Sequence, residues 1–380
     1  MMANSNFQNI RVRAIKTVIP EKFIDIDDEL PFFDNDLKKL ARAKKMAGYG
    51  RRYILDEGST VTDMCVAAAE KLFAEINFDR NELDLLLFVN QKPDYPEPCD
   101  ACLAHGRLNL RQDCAAIPMN LGCSGYPHGL WLAHAMIQSG AARKCLLLAG
   151  DVPSLFGRYP ENRKAAQIFG DAGSATLLEN SDDDRRAYFL TGADGQKWDR
   201  IIIPFGGMRL PVKDDVINLA VKDSGGNLWT HDQGLIDGPE VFLFSTEIAP
   251  KNIREIMEFS GIGMGEIDFF AIHQANKQIV ETIIAKAGIP AEKTTTETFT
   301  KYANNSTNSV VTVLGDQLYG RPVKWVVLCT FGIGLSWATC LLDLSGLHNG
   351  GISTYSPPPG RLSRPEQIAH WVDFFKGGSQ

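Results

Sequence analysis

The residue of this sequence best suited to nucleophilic chemistry is Cys123, set in the run Asn120-Leu-Gly-Cys-Ser-Gly-Tyr126. A short apolar run at 115–119 leads into it and reads as a buried strand. Leu130, His134 and Ile137 then recur at helical spacing. Cys123 therefore falls on a tight strand-to-helix turn. Gly122 and Gly125 allow a sharp bend there and leave the sulfur approachable. A thiol just before a helix feels the positive end of the macrodipole, which favours the thiolate. The same residue also fits a small structural cysteine, since free cysteine is commonly buried.

Two further polar residues stand at comparable places. His273 follows the apolar run 267–272, and Asn304 lies in the polar loop 302–308 ahead of a helical pattern through Val310, Val313, Leu314 and Leu318. In α/β sheets, ligands gather beyond the carboxyl ends of strands, where Cys123, His273 and Asn304 could converge. Taken singly, each has a plainer reading: a satisfied core histidine, or an asparagine capping a helix.

The elements that must position these groups alternate. Strand patterns at 8–19, 84–89, 115–119 and 144–149 are separated by helical ones at 34–47, 60–75, 99–110 and 126–139. Thr60 and Asp63 resemble a capping box. A Gly-rich turn at 169–174 feeds another strand. The second half repeats the order with helix 240–259, strand 267–272, helix 276–287, and two strands joined by a Gly-rich turn within 325–342. Fully apolar strands imply sheets covered on both faces. The expected division is a first half at 1–180, a second at 181–345, and an extension at 346–380. The extension is rich in Pro, Gly and Ser and reads as a loop followed by a short amphipathic helix.

Composition narrows the function. A formal charge of −7 and the basic deficit behind it argue against a nucleic-acid partner. The opening residues lack the regions of a signal peptide. The uncharged stretch 325–342 is interrupted by Gly332, Gly334, Ser336 and Thr339, so it reads as two strands and not as a membrane span. A soluble, cytoplasmic protein without a membrane partner is expected. The eight cysteines do not have the spacing of a secreted disulfide framework. Cys99 and Cys102, with His105, lack an evident fourth ligand; the segment reads as a helix start, and no metal is expected. Gly261, Gly263 and Gly265 lie between a helix and a strand, the reverse of a dinucleotide loop. The basic helix at 37–46, with Arg51 and Arg52 after it, is either a solvated face or a positive patch for a phosphate-bearing partner.

Four blocks in order complete the reading: Gly122-Cys-Ser-Gly125, Phe169-Gly-Asp-Ala-Gly-Ser-Ala175, His273-Gln-Ala-Asn276 and Tyr302-Ala-Asn-Asn-Ser306. Phe331-Gly-Ile-Gly-Leu-Ser-Trp337 supports them. Together the blocks resemble the β-ketoacyl-acyl carrier protein synthase III family of the thiolase-like superfamily. The resemblance implies an α/β thiolase-like fold, a duplicated αβαβα five-layer architecture. It makes Cys123 the acyl-accepting nucleophile, and gives His273 and Asn304 the decarboxylation step. It places the oxyanion hole at the amides of Cys123 and Ile333. Substrate-binding positions fall on Arg51, Arg52, Tyr95, Phe331, Gly332 and Asn276. The substrates implied are acyl-CoA or acyl-ACP and malonyl-ACP, with acyl carrier protein as partner and no separate cofactor. The family also implies a homodimer, with Tyr95 near the region where one subunit caps the other's acyl pocket.

The sequence departs from the family at several points. Residues 31–52 hold no tryptophan to stack on adenine, and Ala303 and Asn305 stand where the family favours Gly and Thr. A same-fold acyltransferase acting on an oxygen or nitrogen nucleophile, or a non-catalytic partner subunit, are the competing readings. Both are disfavoured because all three positions of the Cys–His–Asn set are filled. Thiolase chemistry is disfavoured because Thr330 stands where its second cysteine belongs.

Overall fold

In the strand Leu85–Val89 every side chain is buried: Leu85, Leu87 and Val89 pack on one side, and Leu86 and Phe88 on the other. A strand with no polar face must be covered twice, and that requirement sets the layering. The computed structural model describes residues 3–157, 167–224, 226–358 and 360–377.

The α-helices of the described residues are α1 (Leu37–Ala47), α2 (Val61–Ile76), α3 (Asp100–Arg107), α4 (Gly125–Gln138), α5 (Gly238–Ser260), α6 (Lys277–Ala287), α7 (Glu297–Tyr302), α8 (Ser309–Gln317) and α9 (Arg364–Phe375). A six-stranded sheet runs in the order His348–Tyr355, Ile10–Pro20, Ala172–Asn180, Lys144–Asp151, Leu85–Val89, Ala115–Met119. A five-stranded sheet runs Ala3–Gln8, Arg186–Ala193, Ser336–Asp343, Trp325–Gly332, Phe269–Ile272. α4 and α8 lie between the sheets, contributing Tyr126, Leu130, Val310 and Leu314 to the central core. The outer face of the six-stranded sheet takes Met64, Ala68 and Leu72 of α2. The outer face of the other takes Ile253 and Ile256 of α5 and Ile279 and Ile283 of α6. The result is the expected five-layer αβαβα stack.

Both sheets are mixed. Leu85–Val89 runs parallel to Ala115–Met119 and to Lys144–Asp151, and Phe269–Ile272 runs parallel to Trp325–Gly332. These parallel strands place the residues just beyond Met119 and Ile272 at the same end of the stack as the Gly332 turn.

The Thr60–Asp63 capping box is formed at the start of α2. The uncharged 325–342 stretch is a pair of antiparallel strands, and among the described residues no helix is long and apolar enough to cross a membrane.

The ends of the chain depart from the sequence expectation. Residues 346–380 are not simply an appended loop and helix, because His348–Tyr355 is an edge strand paired in parallel with Ile10–Pro20. Gly350 and Gly351, which read as loop composition, accompany a register shift between Asn349 and Ile352. At the other end, Ala3–Gln8 belongs to the second sheet, pairing with Arg186–Ala193. The first half therefore lends an edge strand to the sheet of the second, and the extension lends one to the sheet of the first.

Candidate active site

Cys123 follows Ala115–Met119 and precedes α4, as the pattern required. Neither Gly122 nor Gly125 adopts a positive φ, so the bend itself does not demand glycine. What Gly122 supplies is clearance: a Cβ there would lie 2.4 Å from Gln91 Oε1 and 2.5 Å from Ile333 Cγ2. Gly332 does the same from the opposite side, since its Cβ would stand 2.6 Å from Cys123 Cβ. The turn after Trp325–Gly332 can thus press directly on the cysteine. Two serines tie the turns together. Ser124 Oγ lies 2.7 Å from Ser336 Oγ, which donates to Ile333 O at 2.8 Å.

The electrostatics of the sulfur differ from the sequence expectation. Burial pushes the Cys123 thiol up to about 11, and the charge of Asp151 acts in the same direction. The Ser306 hydroxyl and the backbone N–H groups of Ile333 and of Cys123 itself pull it back down. At this site, desolvation therefore outweighs the helix terminus. The Cys123 and Ile333 amides both converge on the sulfur, where an oxyanion bound to it would form.

His273 lies one residue beyond Phe269–Ile272, and its N–H donates to Cys329 O at 2.9 Å. Its ring meets Phe331 edge-on, with centroids 5.4 Å apart. Nδ1 is buried and has no hydrogen-bond partner among the described residues. Burial pulls the imidazole down to about 3, so it is neutral at physiological pH.

Asn304 is held between α7 and α8 by backbone contacts to another part of the chain. Its N–H donates to Ile168 O at 2.9 Å, and its carbonyl accepts from Gly170 N–H at 3.1 Å. Its side-chain Oδ1 accepts from Ser306 N–H at 2.9 Å, which leaves the amide N–H groups for the cavity. The backbone is tightly wound here: Ala303 and Ser306 have φ of 59° and 51°.

Cys123, His273 and Asn304 line one cavity of about 530 Å³. Its walls are mostly apolar, with Ile168, Phe169, Ile201, Ile236, Val241 and Ile279 among them. Of the other expected positions, Asn276, Phe331, Gly332 and Ile333 also line it. The Asn276 side chain is already engaged, accepting from Ile279 N–H to cap α6.

Three expected positions lie outside the cavity lining. Arg52 is a correction to the positive-patch reading: it is 7 % exposed and ion-paired with buried Glu29, so it offers nothing to a phosphate. Arg51 is exposed, its guanidinium 4.1 Å from the Phe23 ring centre and 3.9 Å from Asp25. Tyr95 packs edge-on against Trp371 of α9. The sequence reading in turn missed Ser306, Tyr49, Gln91, Ile236–Pro239 and Val241, all of which face the cavity. Ser306 ends one of the four blocks. The Asp237-Gly-Pro-Glu240 start of α5 carried only a helix-capping signal.

Two stacked mixed sheets enclosing a helix pair, with a thiol, a neutral imidazole and a carboxamide at their common edge, define a thiolase-like condensing enzyme. Residues 117–195 match the family model for 3-oxoacyl-[acyl-carrier-protein (ACP)] synthase III, and residues 257–344 match the model for its C-terminal part. A Campylobacter jejuni protein provisionally named 3-oxoacyl-[acyl-carrier-protein] synthase 3 is 38% identical, aligned over 93% of this chain and 99% of its own. A β-ketoacyl-[acyl-carrier-protein] synthase III of Chlamydia caviae is 28% identical over 90% of this chain and 98% of its own. The crystal structure of a Burkholderia xenovorans 3-oxoacyl-(acyl-carrier protein) synthase superposes with a TM-score of 0.85 at 32% identity, covering 93% of this chain and 99% of that one. The chain belongs to the 3-oxoacyl-[acyl-carrier-protein] synthase III family and is a condensing enzyme of that type.

Proposed function

We propose that the chain joins an acyl group to a malonyl-derived carbon in two steps, with Cys123, His273 and Asn304 as its reacting set. First, Cys123 Sγ attacks the carbonyl carbon of an acyl thioester, carried on coenzyme A or on acyl carrier protein. The tetrahedral oxygen is held by the amides of Cys123 and Ile333, and the departing thiol leaves an acyl-enzyme. Malonyl-ACP then enters. Breaking its carboxyl C–C bond releases CO2 and puts the electron pair on the thioester enolate. That enolate oxygen is met by an imidazole N–H of His273 and the amide N–H of Asn304, both neutral donors. The enolate carbon attacks the acyl carbon, and Cys123 sulfur departs to give a β-ketoacyl thioester.

The observation that carries this reading is the convergence of Cys123, His273 and Asn304 on one mostly apolar cavity. Burial holds the His273 imidazole well below its ordinary value, which suits a neutral hydrogen-bond donor to an enolate. The apolar walls suit an acyl chain. Lys38, Arg42 and Lys45 share one exposed face of α1, complementary to an acidic carrier protein. A cytoplasmic homodimer working in fatty-acid synthesis completes the proposal. The test is intact-protein mass spectrometry after incubation with a panel of acyl thioesters. An acyl adduct mapping to Cys123, absent from Cys123→Ala, is expected; a stable adduct persisting in that variant would refute the assignment.

A further inference from the structure

Outside the cavity, one pair of reactive side chains is in direct contact. Cys99 and Cys102 have their sulfurs 3.6 Å apart. Both are free thiols, Cys102 exposed and Cys99 half-buried. They sit in a single turn: Cys99 is the N-cap of α3, and its carbonyl accepts from Cys102 N–H at 3.0 Å and from Leu103 N–H at 3.4 Å. Among the described residues no group of three or more His, Cys, Asp or Glu side chains is arranged to hold a metal, so a coordinating role does not account for the pair.

We propose that Cys99 and Cys102 form a reversible disulfide, a modification site whose state is read at the mouth of the reacting cavity. The oxidant is a low-molecular-weight disulfide. The exposed Cys102 thiolate attacks one of its sulfurs and expels a thiolate, giving a mixed disulfide. Cys99 then attacks Cys102 Sγ and expels the second thiol. Two protein thiols and one external disulfide become one protein disulfide and two external thiols, so atoms and electrons balance. The sulfurs must close from 3.6 Å to a bond of about 2.05 Å, and the first turn of α3 absorbs the movement.

That turn holds an anchor. Asp100, between the two cysteines and 2 % exposed, accepts from Asn90 Nδ2 at 2.5 Å and from Asp94 N–H at 3.0 Å. It thereby holds the residue just before the loop that begins with Gln91 and a residue at the loop's middle. Gln91 lines the cavity and packs against Gly122, beside Cys123. A path thus runs from the dithiol through Asp100 to Asn90, along the chain to Gln91, and from Gln91 to Gly122 beside the reacting thiol. The loop it controls is Gln91-Lys-Pro-Asp-Tyr-Pro-Glu-Pro98.

The test equilibrates the full chain in glutathione buffers of graded ratio, quenches in acid, alkylates free thiols and maps the peptides. The peptide bearing Cys99 and Cys102 should lose both alkyl groups together and regain them with dithiothreitol. Reduced protein should bind phenylarsine oxide, which bridges two neighbouring sulfurs, through that same peptide. Cys102→Ser should lose both behaviours while keeping its reduced-state activity. Full alkylation of both cysteines after oxidation, or a glutathione adduct on Cys102 that Cys99 never resolves, would overturn the site. Oxidised wild type should show a reversible loss of Cys123 acylation rate that Cys102→Ser does not show; an unchanged rate would overturn the link to the cavity. The peptide map does not depend on condensing activity, so failure of the proposed reaction would be seen separately.

Discussion

The Cys123 sulfur lies 3.8 Å from the Ser306 hydroxyl. The two residues belong to opposite halves of the stack, one on the turn into α4 and the other on the turn before α8. The hydroxyl is among the groups that hold the thiol below the value burial alone would set. Removing it should therefore push the thiol up from about 11. In Ser306→Ala, alkylation of the Cys123 peptide by iodoacetamide at pH 8 should slow several-fold, because less of the sulfur is thiolate. An unchanged rate, measured by mass on that peptide, would show that the hydroxyl does not act on the sulfur.

Gly332 is a test of clearance. A methyl group there would stand 2.6 Å from Cys123 Cβ and 3.0 Å from Sγ. Its neighbours are backbone turns tied by Ser124 and Ser336, which cannot move apart cheaply. Gly332→Ala should cost about 1–3 kcal/mol of stability and strongly reduce acyl-enzyme formation, read by urea denaturation and intact mass. Wild-type acylation in this variant would mean that the turn does not constrain the nucleophile.

Much of this arrangement was legible in the sequence because local patterns govern it. The apolar run 115–119 and the helical spacing after it place Cys123 on its turn, and the strand before His273 does likewise. What escaped the sequence is non-local. Arg52 is inside because Glu29 pairs with it, a partner that no periodicity reveals. His348–Tyr355 became a strand because Ile10–Pro20 offered an edge, despite its two glycines. The thiol's electrostatics also escaped, because a helix terminus can be read from sequence whereas the burial that outweighs it is tertiary.

Ala303 has φ 59° and ψ −163°, a conformation that only glycine adopts without strain and that typically costs about 1–3 kcal/mol. It precedes Asn304, and its N–H donates to Phe299 O at 2.7 Å, so the surrounding structure holds it there. Ala303→Gly should relieve the strain, offset in part by the about 0.5–1 kcal/mol entropy cost of glycine. The expected outcome is a net gain of about 1 kcal/mol in urea denaturation with acylation unchanged. A loss of stability would show that the alanine is better accommodated than its dihedrals indicate.

His273→Ala should separate the two chemical steps. Cys123, its amide and Ile333 remain, so the variant should still form the acyl-enzyme. Loss of one donor to the developing enolate should slow release of CO2 from malonyl thioester by about 10²–10³-fold. The measurement is radiolabelled CO2 release alongside intact mass. Normal decarboxylation in this variant would remove His273 from the mechanism.

His134 offers a pH prediction away from the reacting groups. It is buried on α4 between Phe7 and Phe189, with Nδ1 2.7 Å from Leu130 O. Burial pulls it from 6.5 to about 4. The unfolded chain therefore takes up a proton near pH 6.5 that the folded chain refuses until about pH 4. Its contribution is present in full above the unfolded value and is lost as pH falls through this window. Asp151 and Asp171, raised to about 6 by burial, act in the opposite sense, so wild-type stability alone does not isolate the histidine. The comparison with His134→Leu does: the stability difference between the two proteins should shift by about 2 kcal/mol toward the variant on going from pH 7 to pH 5. Parallel urea-denaturation profiles across that range would show that His134 does not titrate with a depressed value in the folded chain.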